Sequence, residues 1–335
     1  MPMVNFCRAT GDQRLHPSTQ PHMADAIEKK SAGISDHAQA LLIRGLYRLI
    51  PRLPLRASYF IARALSALLV RLLTRQRKTV LGNLEVAFGS SLGEDEKNRI
   101  ARSMADNMIK SFFECLYLAS PFHGRIEGRA VLEGKEHLDR ALARGKGVIA
   151  VSAHFGNFIN LGSFMVRAHY PFHMVLRDPP SEPIARVFRF FRRNAGQQWI
   201  STTPSAQCQR RILSCLRSNG IICIIADEYR RHGGIPVDFF GHPVPTAAGP
   251  ALLSLRTGAA LLPLFVVRQQ DDTHRVVIDP PLAYEPTGNR DADIRNLTAL
   301  FTERIEHYVR RYPAQWWWTN RRWRGISRGD KHYRG

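Results

Sequence analysis

Acidic residues are scarce in this chain. Of 335 residues, 28 are Asp or Glu against 48 Lys or Arg, which leaves a formal charge of +20 and a pI near 10.5. That imbalance excludes a self-neutralised surface and calls for an anionic counterpart: a phosphorylated substrate, an anionic bilayer, an acidic carrier protein or nucleic acid. Cysteine is scarce as well. The five cysteines are odd in number and form no C-x-x-C pair, which argues against a disulfide scaffold or a zinc site and suits a reducing compartment. Cys115, Cys215 and Cys223 stand in apolar runs and read as core residues. No run of about 18 uncharged apolar residues occurs, so a full membrane span is not expected. Internal repeats and low-complexity segments are missing too. So are helix-turn-helix, zinc-finger and RNP-type patterns, which leaves nucleic acid without support as a partner.

The first 36 residues hold His16, Pro17, Pro21 and His22 but no apolar h-region. They read as a disordered or dispensable extension, not a secretion signal. Residues 326–335 read as a basic tail. Between these ends the composition is ordinary for a globular protein, 44% hydrophobic and 23% charged.

What the chain does have begins with two helical patterns. Residues 37–50 carry Leu41, Leu42, Leu46 and Ile50 on one side, with Arg44 and Arg48 four apart. Residues 55–74 carry Tyr59, Phe60, Leu65, Leu68 and Leu72, punctuated by Arg56, Arg63 and Arg71. A cationic amphipathic hairpin of this kind suits contact at the headgroup level of an anionic membrane; the alternative is a helix pair capping the core. Residues 79–90 read as a connector with a short helical stretch. A long amphipathic helix follows from Gly93 to about Leu118, its start loaded with Glu94, Asp95 and Glu96. We expect residues 37–120 to form a helical, membrane-associating subdomain.

From residue 121 to 325 apolar strands alternate with helices. Strands are expected at 126–132, 148–151, 173–176, 221–225, 261–267 and 275–278. Residues 234–246 read as a loop with a short extended piece. The fold class is α/β: a mixed, largely parallel sheet flanked by helices, preceded by the helical amino-terminal region.

The chain is organised around residues 147–160. Val148–Val151 is a short, β-branched apolar run that reads as a buried strand, and it leads directly to His154, Gly156 and Asn157 before a helical pattern begins at Phe158. An imidazole therefore stands at the carboxyl end of a strand beside a helix start, where α/β sheets hold their ligands. It either acts there or fills the turn.

Several stretches, in order, carry a resemblance. They are Ala153-His154-Phe155-Gly156-Asn157, Leu176-Arg177-Asp178, Ala226-Asp227-Glu228 and Val237-Asp238-Phe239-Phe240-Gly241. Then come Thr246–Gly249, Leu255–Ala259, Pro263, Arg268 and Gln315–Trp323. Over residues 40–324 the chain resembles the bacterial lipid A biosynthesis (lauroyl/myristoyl) acyltransferases of the lysophospholipid acyltransferase superfamily. The resemblance implies transfer of an acyl group from acyl-carrier protein or acyl-CoA to a hydroxyl of a glycolipid, at the cytoplasmic face of the inner membrane. It implies no metal or redox cofactor. His154 would be the general base.

One departure stands out. The family motif places Asp or Glu five positions after the histidine, and Ile159 stands there. Either the enzyme is impaired, leaving a non-catalytic membrane-bound relative, or another acid orients His154. Asp227 and Glu228 end a separate apolar strand on the same expected edge; one of them should reach the ring, with the longer Glu228 slightly favoured. The alternative is that both pair locally with Arg230 or Arg231. Gly156 and Asn157 would shape the turn or meet the substrate. Arg177 would bind a phosphate or an oxyanion, or be solvated; Arg268 and Arg322 are further candidate substrate contacts. Phe239, Phe240 and Gly241 would line an acyl channel or fill the core. Trp316–Trp318 with Arg321 and Arg322 suit an interfacial belt or the edge of the core.

Overall fold

A computed structural model describes residues 33–324 apart from His232. Residues 1–32 of the expected amino-terminal extension and the basic tail lie outside the described residues, while the last three residues of that extension, Ile34–Asp36, open the first helix.

Eleven α-helices and nine strands are present among the described residues. The helices are α1 (Ile34–Leu49), α2 (Leu55–Leu72), α3 (Thr74–Phe88), α4 (Glu94–Leu118), α5 (Gly124–Glu127) and α6 (Lys135–Leu142). They continue with α7 (Leu161–Arg167), α8 (Glu182–Asn194), α9 (Ser205–Arg217), α10 (Gly249–Thr257) and α11 (Arg290–Arg311). The strands are β1 (Ala130–Glu133), β2 (Val148–Ser152), β3 (Phe172–Leu176), β4 (Gln198–Ser201) and β5 (Ile221–Ile225). After them come β6 (Gly234–Phe239), β7 (His242–Ala247), β8 (Ala260–Arg268) and β9 (His274–Ile278).

Seven strands form one sheet in the order β1-β9-β8-β2-β5-β3-β4. From β8 to β4 every pairing is parallel, and β9 turns back antiparallel on β8 with β1 parallel beside it. The fold is therefore the expected mixed, largely parallel α/β sheet. Its two central strands, β2 and β5, are apolar but for the terminal Ser152, because both faces are covered. Ile149 and Val151 face the layer containing Leu84, Ile212, Ala251 and Phe301, from α3, α9, α10 and α11. Val148 and Ala150 face the layer containing Phe113, Leu138, Leu161 and Phe191, from α4, α6, α7 and α8.

Four elements differ from expectation. The 79–90 connector is mostly the second half of α3, whose buried side is Val80, Gly82, Asn83, Leu84 and Ala87. Residues 124–127 are a turn of helix, and the first strand begins only at Ala130. The edge strand β4 was not anticipated: Gln-Trp-Ile-Ser is short and carries no apolar run. Residues 234–247 form the hairpin of β6 and β7 instead of a loop. Phe240 and Gly241 connect its strands with φ of 57° and 76°, the paired left-handed conformation that suits a two-residue hairpin turn.

The amino-terminal helices invert the usual arrangement. On α2 the buried residues are small ones, Ser58, Ala62 and Ser66, at a spacing of four. Small side chains let α2 lie close to α4, and the bulky residues turn outward: Phe60 is 75% exposed and Leu72 65%. On α1 the expected apolar side is likewise split, with Ile50 just beyond its end buried while Leu41 and Leu42 face out. Tyr47 packs α1 against Phe190 and Phe191 of α8.

Candidate active site

β2 and β5 are adjacent and parallel, with Ser152 opposite Ile225. His154 lies two residues past Ser152, and Asp227 two residues past Ile225. Equal overshoot from a register pair brings the two side chains together: His154 Nδ1 stands 2.8 Å from Asp227 Oδ1. The other carboxylate oxygen, Oδ2, accepts the His154 amide at 3.0 Å, the Trp316 indole N–H at 2.7 Å and the Asn320 amide at 3.4 Å. Asp227 is buried yet fully partnered, so its charge survives burial.

These contacts fix the titration directions. Burial opposes the charge on Asp227, but the facing imidazole and the converging donors outweigh it and hold the carboxyl below its ordinary range. Burial also opposes a charged His154. The Asp227 carboxylate outweighs that penalty, with Glu228 adding to it, and the imidazole pKa rises above 6.5. An ionised Asp227 accepts from Nδ1–H, which leaves the ring's lone pair on Nε2.

Glu228 was the slightly favoured orienting acid, and the structure gives that place to Asp227. Adjacent residues beyond a strand point differently. Asp227 turns inward to Nδ1, while the Glu228 side chain is 67% exposed with Oε1 3.8 Å from Nε2. Glu228 therefore faces the reactive nitrogen through space, not through a hydrogen bond. Ile159, at the family's acid position, offers no acceptor side chain; its carbonyl accepts from Gln197 Nε2 at 2.7 Å.

Two aromatic rings complete the surroundings of the imidazole. Phe158 meets it edge-on with centroids 4.9 Å apart, and Trp317 lies tilted at 6.0 Å. The carboxy-terminal segment reaches the site by backbone pairing: Gln315 accepts from the Gly156 amide at 2.7 Å, and the Trp317 amide donates to the His154 carbonyl at 2.9 Å. Gly156 has φ of 54°, and a Cβ there would lie 1.7 Å from the Val266 carbonyl oxygen. Only glycine permits that approach.

The remaining candidates separate from the histidine. Asn157, expected to shape the turn or meet the substrate, and Arg268, a candidate substrate contact, both stand in a buried polar network. Glu114 on α4 is its hub: it accepts from Asn157 Nδ2 at 2.6 Å, from Arg268 at 2.6 and 3.0 Å, and from Tyr59 on α2 at 2.5 Å. His274 Nε2 lies 3.0 Å from the same carboxylate. Burial pushes the Glu114 pKa up, but Arg268 and His274 overcome it and hold the group far below the usual carboxylate range. The sequence offered one sign of this hub, a single acid inside the apolar run Ser111-Phe-Phe-Glu-Cys-Leu-Tyr-Leu118.

Arg322 is buried behind the 227–228 turn, donating to the Glu228 carbonyl at 3.2 Å and to Thr246 Oγ1 at 2.7 Å. Burial pulls its pKa down to about 10. Phe239 and Phe240 are buried with Trp316, Trp318 and Trp323 in one aromatic cluster, and Gly241 serves the hairpin turn. Arg177, just past β3 on the same sheet edge as His154, is exposed and forms no ion pair among the described residues.

A histidine with Nδ1 held by a buried carboxylate and Nε2 without a hydrogen bond among the described residues can accept and return a proton, the arrangement of an acid–base site. Comparison with known proteins gives the class a family. The model of bacterial lipid A biosynthesis acyltransferases matches residues 28–325, and the chain belongs to that family. It is 29% identical to a phosphatidylinositol mannoside acyltransferase of Mycobacterium tuberculosis over 58% of this chain and 60% of that protein. The chain thus spans well under two thirds of that relative's length. A phosphatidylinositol mannoside acyltransferase of Mycolicibacterium smegmatis is 26% identical over 68% of this chain and 74% of its own. The lipid A biosynthesis palmitoleoyltransferase of Escherichia coli is 25% identical over 85% and 91%.

Proposed function

We propose that this protein transfers a fatty acyl group from a thioester, acyl-carrier protein or acyl-CoA, to a hydroxyl of a glycolipid. The observation that carries this reading is the His154–Asp227 pair, which supplies an oriented base although Ile159 replaces the family's acid. The acceptor hydroxyl gives its proton to His154 Nε2 as its oxygen attacks the thioester carbonyl. The imidazolium so formed is held by Asp227 at Nδ1 and by the charge of Glu228. When the tetrahedral intermediate collapses, the carbon–sulfur bond breaks and the leaving thiolate takes the proton from Nε2. The product is an ester and a free thiol, with no change of oxidation state and no part for a metal or redox group. Arg177, exposed and uncompensated on the same edge, is suited to an anionic phosphate of donor or acceptor.

We place the protein on the cytoplasmic face of the inner membrane, seated by α1 and α2. Their outward Leu41, Leu42, Leu49, Phe60, Leu68 and Leu72 are interleaved with Arg44, Arg48, Arg56, Arg63 and Arg71. No single helix among the described residues is long and apolar enough to cross a bilayer; α2 and α3 meet such a length only together, bent by 90°. An apolar face studded with arginines favours a seat at the headgroup level of anionic lipid.

The test is transfer itself. Purified protein with a radiolabelled acyl thioester and glycolipid vesicles should yield an acylated glycolipid, and His154→Ala should lower the rate at least about 100-fold with the fold intact. A folded His154→Ala protein of near-normal rate would refute the proposed base. Mass spectrometry of lipids from a deletion strain then identifies the acceptor.

A further inference from the structure

Four tryptophans crowd residues 316–323, and three of them are spoken for. Trp316, Trp318 and Trp323 are fully buried, and their indole N–H groups donate to Asp227, to the Pro313 carbonyl and to the Phe239 carbonyl. Trp317 differs in every respect. It is partly exposed, its indole N–H has no acceptor among the described residues, and its ring stands against His154 and Phe158. Its backbone is pinned, because the Trp317 amide donates to the His154 carbonyl at 2.9 Å. A large rigid ring with an unused donor is thus fixed beside the imidazole of His154.

We infer that Trp317 is the platform for the sugar ring of the acceptor, with Glu228 as its polar counterpart. This rests on the acyl-transfer reading above. A pyranose has an apolar face of C–H groups and a rim of hydroxyls, and it needs a flat aromatic surface together with hydrogen-bond partners at its edge. Trp317 supplies the surface and one donor. Glu228, whose Oε1 is 3.8 Å from His154 Nε2, supplies an exposed acceptor at the same imidazole. The same carboxylate repels a phosphate, so an anionic part of the ligand would lie away from this spot, toward Arg177. An acyl chain would gain nothing from an indole N–H left unpaired. Trp317 acts by binding substrate and takes no part in proton transfer.

The experiment compares two acceptors of equal chain length, octyl glucoside below its micellar concentration and octanol, with lauroyl-CoA as donor. In Trp317→Leu the ratio of kcat/KM for octyl glucoside over octanol should fall about tenfold, through KM for the glucoside. Trp317→Phe, which keeps a ring face but loses the donor, should fall less. The acid limb of the pH profile should stay where it is, showing that the imidazole has not been disturbed. An unchanged ratio, whether or not both rates drop, overturns the platform. Should the wild-type protein acylate neither acceptor, the glycolipid-vesicle assay decides the acyl-transfer reading separately, and calorimetric titration with octyl glucoside still decides this one. Weaker binding to Trp317→Leu upholds the platform, and equal binding overturns it.

Discussion

Ser152 and Ile225 are register partners across β2 and β5, and the pairing of His154 with Asp227 is that register carried two residues further. Register in a parallel pair covered on both faces is strongly specified, since a slip of one residue would turn every side chain to the opposite face. The imidazole and its acid are therefore aligned by the most rigid part of the sheet, although both stand on loops.

Asp227→Asn removes the charge that raises the His154 pKa. A base works when unprotonated, so the acid limb of kcat/KM should move to lower pH in the variant. The plateau should still fall at least about 100-fold, because the amide no longer fixes the tautomer. Glu228→Gln should move the limb in the same direction by less, in keeping with its exposure. Limbs that stay put in both variants would mean that neither acid sets the protonation of the imidazole.

Ile159→Glu restores the family's motif in sequence but should bring no gain in rate. Nδ1 is already taken by Asp227, and Ile159 packs at the margin of the apolar layer formed by Leu161, Phe164 and Met174. The comparison to make is kcat at saturating acceptor for the variant and the parent. A tenfold rise would show that Asp227 is an inadequate substitute.

Glu114→Gln should destabilise the protein by about 3–5 kcal/mol, since it leaves the buried Arg268 with only its longer contact to Asp272. Urea denaturation at neutral pH would measure this. The folded Glu114 pKa is depressed below 4.5. Its contribution is therefore fully present above that value and lost as pH falls toward the folded pKa. The stability gap between parent and variant should narrow in acid; a gap independent of pH would contradict the assignment.

Replacing Phe60, Leu68 and Leu72 together by Ser should leave the fold unchanged, because all three point outward. Flotation with vesicles containing phosphatidylglycerol should show binding reduced at least about tenfold, from the apolar area withdrawn. Undiminished flotation would place the membrane contact elsewhere.

Much of this was legible in the sequence where the pattern was strong. The apolar runs at 148–151 and 221–225 announced β2 and β5, and the residues that follow them announced the site. What failed was local. The β6–β7 hairpin was hidden by Pro236, Pro243 and Pro245, which are tolerated because this ribbon has two edges and lies outside the main sheet. α3 was hidden by a weak apolar stripe in which Gly82 and Asn83 occupy buried positions. Glu228 was preferred to Asp227 on side-chain length, whereas the register of the strands had already closed the gap. The tryptophans at 316–318 read alike in sequence. Only packing separates Trp317, on the imidazole, from its buried neighbours.

The Asp227 carboxylate takes one donor from Trp316 and another from Asn320, and the Gly156 amide is received by Gln315. A chain emerging from the ribosome makes His154 and Asp227 long before these partners. Until residues 315–320 follow, the acid lacks its indole donor and the histidine turn lacks its backbone mate. A protein cut short before residue 315 would keep the β2–β5 pairing but lose the Trp316 donor to Asp227 and the Gln315 acceptor for the Gly156 amide.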